Sequence, residues 1–382
     1  MNSSKPQQAN YEIENQDPSI LQFPLVNNLD GYFDRIKSLR VVNNPNALNS
    51  STRILGFATR LTLEQLEHID PSQKRSVLNF LYDHDLVSGS PSVIALAGAD
   101  LENVDLSGLS LQGVNLRKCR LKNSDFSQSD LRGANFMAAD LRGARFHNAQ
   151  LGSSIQGKTL PANLSQAKLD RSLFSGANLQ QVRLTQASLN YSHFADAQLE
   201  GANLAGSQIR RANFSRANLS CANLSSTDLR QSYLRGVVMT GANICGTRLQ
   251  GAEMLSADLT LANARDADFN KADLKEAVLR KTYLYNANLQ DCDLERADLG
   301  GANLSASDVR NARLNHANFG GALIEETNFD LAGYYWMSRW MFSARIARPI
   351  QRAVKRPFNF LGRKIPKRKK IRHISPGARS DK

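Results

Sequence analysis

The sequence predicts a mainly β solenoid, a chain wound into small square coils that stack into a rod. Three observations carry this. A bulky apolar residue recurs every five residues from Leu96 to Leu151 and again from Leu164 to Phe329, giving 12 and 34 units. Two residues before each such centre the chain is small or short-branched, as at Ala99, Val104, Cys119, Ser129, Ala177, Thr227 and Ala267. The remaining three positions are mostly polar, as in Ala202-Asn203-Leu204 and Ala302-Asn303-Leu304. A period of five suits neither an amphipathic helix nor an alternating strand, whose periods are ~3.6 and ~2. It requires a chain that turns after every unit, so that the same two positions always face inward. Four such turns close a square of about twenty residues, and backbone hydrogen bonds then run between coils in four narrow parallel sheets. The second inward residue must be small because so tight a coil has little room inside. No unit buries its face alone, so stability comes from stacking on neighbours.

The unit Ala-Asn/Asp-Leu/Phe-x-x, in 46 copies over roughly 235 of 382 residues, closely resembles the repeat of the pentapeptide-repeat family. That resemblance implies a right-handed quadrilateral parallel β-helix from about Ile94 to Phe329. At four units per coil and ~4.8 Å between coils, it implies about 11.5 coils and a rod roughly 55 Å long. Residues twenty apart should then lie above one another. Phe174, Phe194 and Phe214 are expected to stack inside, and Ser207, Thr227 and Thr247 to form a hydroxyl ladder. The segment 152–163 breaks the period and is expected to leave the coil as a loop.

Before the repeats, residues 1–20 are polar and expected to be disordered, and 21–93 are expected to form a helical N-terminal cap. Leu29, Tyr32, Phe33, Ile36 and Leu39 predict a helix over 28–42. A second follows from Ile54 to Ile69. Asp70-Pro71 opens a third, with Asp70 as cap and Pro71 in the first turn. Val77, Leu78, Phe80 and Leu81 would be its buried side and Gly89 its stop. The stretch from Ile69 to Tyr82 looks like the helical lead-in that precedes pentapeptide repeats in some bacterial proteins. The open end of a solenoid exposes apolar centres and unpaired strand edges, which a helical cap covers. The same helices offer a surface for regulation or for a homodimer.

After Phe329 the pattern ends. Residues 331–349 hold Tyr334, Tyr335, Met337 and both tryptophans, Trp336 and Trp340, which at i and i+4 would share a helix face. Two readings stay open: a plug on the last coil, or an interfacial helix with its aromatics at headgroup depth. Residues 350–382 form a polybasic tail containing Arg363, Lys364, Lys367, Arg368, Lys369, Lys370 and Arg372. The net charge of +13 belongs to this end, since residues from 331 onward carry 15 basic side chains against Asp381, while 96–330 carry 25 against 24. Near anionic headgroups each Lys or Arg is worth ~1 kcal/mol, so Trp336, Trp340 and this basic cluster are the candidate tail-binding residues.

The N-terminus lacks the layout of a signal peptide, and no window approaches the ~18 apolar residues of a membrane span. The expectation is a cytoplasmic protein, at most attached to a membrane surface. Cys119, Cys221, Cys245 and Cys292 lie far apart with no CxxC, which argues for a reducing compartment and against a disulfide framework or a zinc site. No nucleophile elbow, phosphate-binding glycine loop or HExxH is present, so the chain reads as non-catalytic and without a cofactor. His147, His193 and His316 fall at outward positions, and Asp266-x-Asp268 and Asp291-x-Asp293 are weak cation patterns in a repeat rich in outward acids.

One surface feature is more specific. Glu253, Asp273 and Asp293 precede their centres at spacings of twenty and should line one face, a candidate docking column for a basic partner or for the tail itself. Residues 253–298 hold ten acids against six bases, and 117–145 hold seven bases against three acids. The function expected is a scaffold: a stiff rod that binds an unidentified protein partner and is tethered by its tail to an anionic membrane surface or an acidic partner. One alternative is a topoisomerase-interacting DNA mimic, as some members of the family are. Such mimicry needs dense negative charge to replace phosphates at about one per 1.7 Å, which a rod of 25 basic and 24 acidic residues does not supply. The other alternative is nucleic-acid binding through the tail, where basic charge alone gives salt-sensitive affinity.

Overall fold

In the five residues 203–207 every backbone N–H finds a partner, and the accounting explains the repeat. Asn203 donates down to Val182 O (2.9 Å), while Leu204 and Gly206 donate up to Asn223 O (2.8 Å) and Ser225 O (3.0 Å). Ser207 turns back to Leu204 O (3.1 Å) and closes a β-turn. The last amide, Ala205, is taken by the side chain of Asn203 at 3.2 Å. Asn or Asp therefore precedes the centre because its side-chain oxygen accepts an N–H that no backbone group reaches. The turn places its third residue at positive φ, +70° at Gly206, the type II pattern. Gln181, Arg211, Leu261 and other residues with a Cβ adopt it too. Each costs roughly 1–2 kcal/mol of backbone strain, offset by the coil-to-coil bond from the same residue.

The computed structural model describes residues 28–38, 52–88, 92–153 and 160–330. Coils stack in parallel register at a step of twenty residues, from Asp100↔Arg120 to Asp308↔Asn328. The pairing is narrower than four sheets would suggest: one bridging residue per unit, because the turn consumes the rest. Centres and small residues are buried almost throughout, including Ala264, the one small centre. The expected aromatic stack is present and longer than the sequence indicated. Phe126, Phe146, Phe174, Phe194 and Phe214 lie face to face at 4.6–5.0 Å, with Phe136 edge-on to the first two. The hydroxyl column differs from expectation. Thr227 meets Thr247 at 3.5 Å, but the short bonds run to main-chain carbonyls: Ser207 to Leu184 O (2.6 Å), Thr227 and Thr247 both to Leu224 O (2.6 and 2.7 Å). Leu184 O, which closes a turn with Ala187 N, has a second lone pair for Ser207, while at Leu224 O the turn N–H and two hydroxyls share one oxygen.

At the interruption the bridge step changes from twenty to twenty-eight, as in Asn135↔Asn163. Ala162 N donates to Leu151 O at 2.8 Å, the usual turn bond, so the loop replaces one corner and the coil resumes at Ala162, before the end of the expected 152–163 segment. A Cβ on Gly152 would stand 2.6 Å from Gln180 N, so the chain leaves the coil through a position that admits only glycine. This is why Phe146 and Phe174 continue one stack despite their spacing.

Three helices precede the coils: α1 (Leu29–Ser38), α2 (Thr52–His68) and α3 (Pro71–Asp83). Asp70 caps α3 in a reciprocal capping box with Gln73, and Pro71 opens it. The helix ends at Asp83 with His84 as C-cap, short of the Gly89 expected. Val77, Leu78 and Leu81 are buried, while Phe80 is only partly so and meets the Phe33 ring at 4.5 Å. Against the first coil, Arg75 donates to Asp105 O (2.9 Å) and Ser107 O (3.1 Å), Tyr82 to Gln112 O (3.0 Å), and Asn115 N to Val87 O (2.8 Å). Lys74, 5% exposed, pairs with Asp100 at 3.5 Å. No described helix is long and apolar enough to cross a membrane.

Candidate functional site on the rod surface

Because the interior is spent on packing, anything the rod recognises must be read from its outward columns. Glu253, Asp273 and Asp293 do lie above one another, bridged in succession. Two of these acids are already engaged. Asp273 accepts Lys275 N and Asp293 accepts Glu295 N, both at 3.1 Å, the same capping duty that Asn203 performs. Arg313 reaches Asp293 (2.9 Å) and Glu295 (3.0 Å), and Lys275 reaches Glu295 at 3.2 Å. The hydrogen bond from Lys275, with help from nearby arginines, holds the Glu295 carboxyl below its usual range. Trp336, Trp340 and the basic cluster from Arg363 to Arg372 lie outside the described residues.

The two Asp-x-Asp pairs are drawn into rung-to-rung bonds. Asp266 accepts Asn286 Nδ2 (2.6 Å), Asp268 accepts Gln250 (2.6 Å) and Asn288 (2.9 Å), and Asp291 accepts Asn311 (3.1 Å). Among the described residues no group of three or more His, Cys, Asp and Glu could hold a metal ion. Cys119 and Cys292 are buried and free; desolvation pushes both thiols up to about 12, and each donates to a main-chain carbonyl, Leu96 O at 3.0 Å and Phe269 O at 2.9 Å.

A charge cluster that sequence reasoning missed sits mid-rod. Asp228 is 7% exposed, and Arg230, two residues on, grips it with Nε (2.9 Å) and an Nη (2.8 Å). Arg210 approaches from the coil below at 2.8 Å and Arg248 from the coil above at 3.9 Å. Partial burial works to raise the Asp228 carboxyl, but hydrogen bonds from Arg230 and Arg210 outweigh it and hold it at about 2. At the adjoining corner Arg211 donates to Gln231 (2.9 Å) over the Tyr191 ring. Coils 201–252 carry six arginines and one acid. The signal was available: at a step of twenty, Arg248 stands over Asp228 and Arg230 over Arg210.

The pentapeptide-repeat model matches segments from residue 95 to 155 and from 162 to 330. The chain belongs to the pentapeptide-repeat family. Members fold as right-handed quadrilateral β-helices, which agrees with the coil seen here. Among solved structures, it is similar to HetL, a pentapeptide repeat protein involved in heterocyst differentiation regulation in the cyanobacterium Nostoc (29% identity, 60% of this chain and 91% of that one, TM-score 0.28). It is also similar to full-length QnrB1, a plasmid-mediated fluoroquinolone resistance protein (18%, 63% and 100%, TM-score 0.40). A third is a pentapeptide repeat protein of the Arabidopsis thaliana thylakoid lumen (35%, 29% and 68%, TM-score 0.20). No curated protein matches the chain.

Proposed function

We propose that this pentapeptide-repeat protein is a non-catalytic interaction rod, capped by its helices and tethered by its basic, aromatic C-terminal segment to an anionic surface. The observation that carries it is the division of charge: a rod of 25 basic and 24 acidic residues joined to an end with 15 basic residues and one acid. A neutral rod has no folding need for such an appendage. The partly neutralised column of Glu253, Asp273 and Asp293 is the docking face assigned to a basic partner. Flotation of the full chain with anionic vesicles, beside a chain ending at Pro349, tests the tether, with a DNA-shift assay in parallel. Salt-reversible flotation that depends on residues 350–382 is expected. Equal flotation of both chains, or tail-dependent binding to DNA and not to vesicles, overturns it.

A further inference from the structure

The Asp-x-Arg pair recurs along the rod, which supplies an internal control. Arg132 grips Asp130, Arg142 grips Asp140 and Arg310 grips Asp308, each through two nitrogens of one guanidinium. In each of these sites a single arginine pairs with the carboxylate. Around Asp130 and Asp308 the further contacts come from the neutral amides Gln112 and Gln290. Asp228 differs because two more guanidinium groups converge on it. With its carboxylate ionised, three arginines leave an excess of two positive charges. Asp268, on the rung above Arg248, spends its oxygens on the neutral amides of Gln250 and Asn288, while Arg211, next in the chain to Arg210, adds a positive charge on the adjoining corner.

The arrangement has the features of a preformed anion receptor. The carboxylate is nearly buried, while the arginine side chains stay 53%, 37% and 62% exposed (Arg210, Arg230, Arg248). Each guanidinium has five N–H donors, and the bonds to Asp228 use at most two nitrogens of any one of them. The remaining donors are left for solvent or a ligand. Asp228 thus orients Arg210 and Arg230 by hydrogen bonds and gathers Arg248 to 3.9 Å, which removes part of the entropy cost of binding. Planar guanidinium forks match the paired oxygens of tetrahedral oxyanions, and an excess of two charges matches a phosphoryl dianion.

We propose that Arg210, Arg230 and Arg248, organised by Asp228, form a binding site for a phosphoryl group carried by a phosphate monoester. The site is independent of the tail and goes beyond the tether reading. A titration of the full-length protein with inorganic phosphate, followed by calorimetry and by 31P NMR line width at constant ionic strength, tests it. Saturable binding is expected, weakened about tenfold in Arg210→Gln and in Arg248→Gln, the loss of one charge-assisted contact each. Arg132→Gln and Arg310→Gln should bind as the unaltered chain does. Affinity for phosphate should rise between pH 6 and 8 as the dianion forms, while sulfate, a dianion throughout, should bind without that rise. Phosphoserine and a nucleoside 5′-monophosphate, titrated alongside, distinguish a protein-borne from a nucleotide-borne phosphoryl group. Unsaturable binding, equal binding by the Arg210→Gln/Arg248→Gln double variant, or an equal loss in Arg310→Gln overturns the proposal. Unchanged thermal unfolding of the double variant separates lost binding from lost fold.

Discussion

The first and last coils of the rod are built from the same unit and meet different surroundings. At the first coil Leu101 and Leu106 are fully buried, and side chains of α3 take main-chain carbonyls along the edge. At the last, Phe319 is 7% exposed, and Ile324 and Phe329 are only partly buried. A solenoid coil is therefore as stable as what lies on both sides of it, since each coil packs only against its neighbours.

The largest test cuts the rod between the two ends. Leu204 is fully buried, and Leu204→Lys places an ammonium with no partner in a closed apolar core. We expect the damage to spread unequally. Amides from Leu101 to Leu151, held against the helices, should keep slow hydrogen exchange, while those from Ile209 to Phe319 lose it. If both halves lose protection together, the rod is one cooperative unit and the contrast between its ends has no energetic meaning.

A smaller pair measures the ends directly. Leu106→Ala removes a fully buried side chain and should cost about 3 kcal/mol. Ile324→Ala should cost well under half as much, because Ile324 already keeps part of its surface in water. Denaturation midpoints of the two variants decide the matter, and equal losses would mean that the last coil is covered as well as the first.

How much of this was legible beforehand follows the physics of the repeat. The period fixed the inward residues, since burial admits only apolar centres and small partners, and Asp70-Pro71 announced the start of α3. The outward residues were harder to read. Asp273 and Asp293 looked like surface charge because their bond to a backbone N–H two residues on belongs to the folded turn and leaves no mark in composition. The continuation of the phenylalanine stack across residues 152–161 was hidden because the corner loop shifts the count. Arg210, Arg230 and Arg248 were each visible, but their convergence on Asp228 needs the coil step applied to charges as well as to centres.

An acid titration sharpens the comparison at the covered end. Partial burial alone would raise the Asp100 carboxyl; the Glu102 amide, Lys74 and Arg120 outweigh it and hold it below the usual carboxylate range. A carboxyl depressed in the folded state contributes stability that is complete above its ordinary range and is lost as pH falls through the folded value. Acid should thus loosen α3 from the first coil by leaving the Lys74 ammonium without its partner. At neutral pH Asp100→Asn should cost about 2 kcal/mol for the same reason, and should flatten the acid dependence of α3 protection. An unaltered acid profile in that variant would place the pH sensitivity elsewhere.

The smallest expected effect concerns single arginines at each end. Arg75 bonds two first-coil carbonyls and lies 3.3 Å from Asp105, so Arg75→Gln leaves strand-edge acceptors facing the helix without donors. A loss of about 1 kcal/mol is expected, the net worth of such hydrogen bonds. Arg313, near the last coil, makes two ion pairs instead, with its side chain 60% exposed. Water and salt screen those pairs and can take their place, so Arg313→Gln should leave the denaturation midpoint where it was. The distinction is between a side chain that completes a sheet edge and one that decorates a surface. Raising the ionic strength separates them further, because bonds to carbonyls are screened far less than exchanges between exposed charges. Should Arg313→Gln prove as costly as Arg75→Gln at both low and high salt, the last coil would depend on its surface pairs as much as the first depends on its bonds to α3.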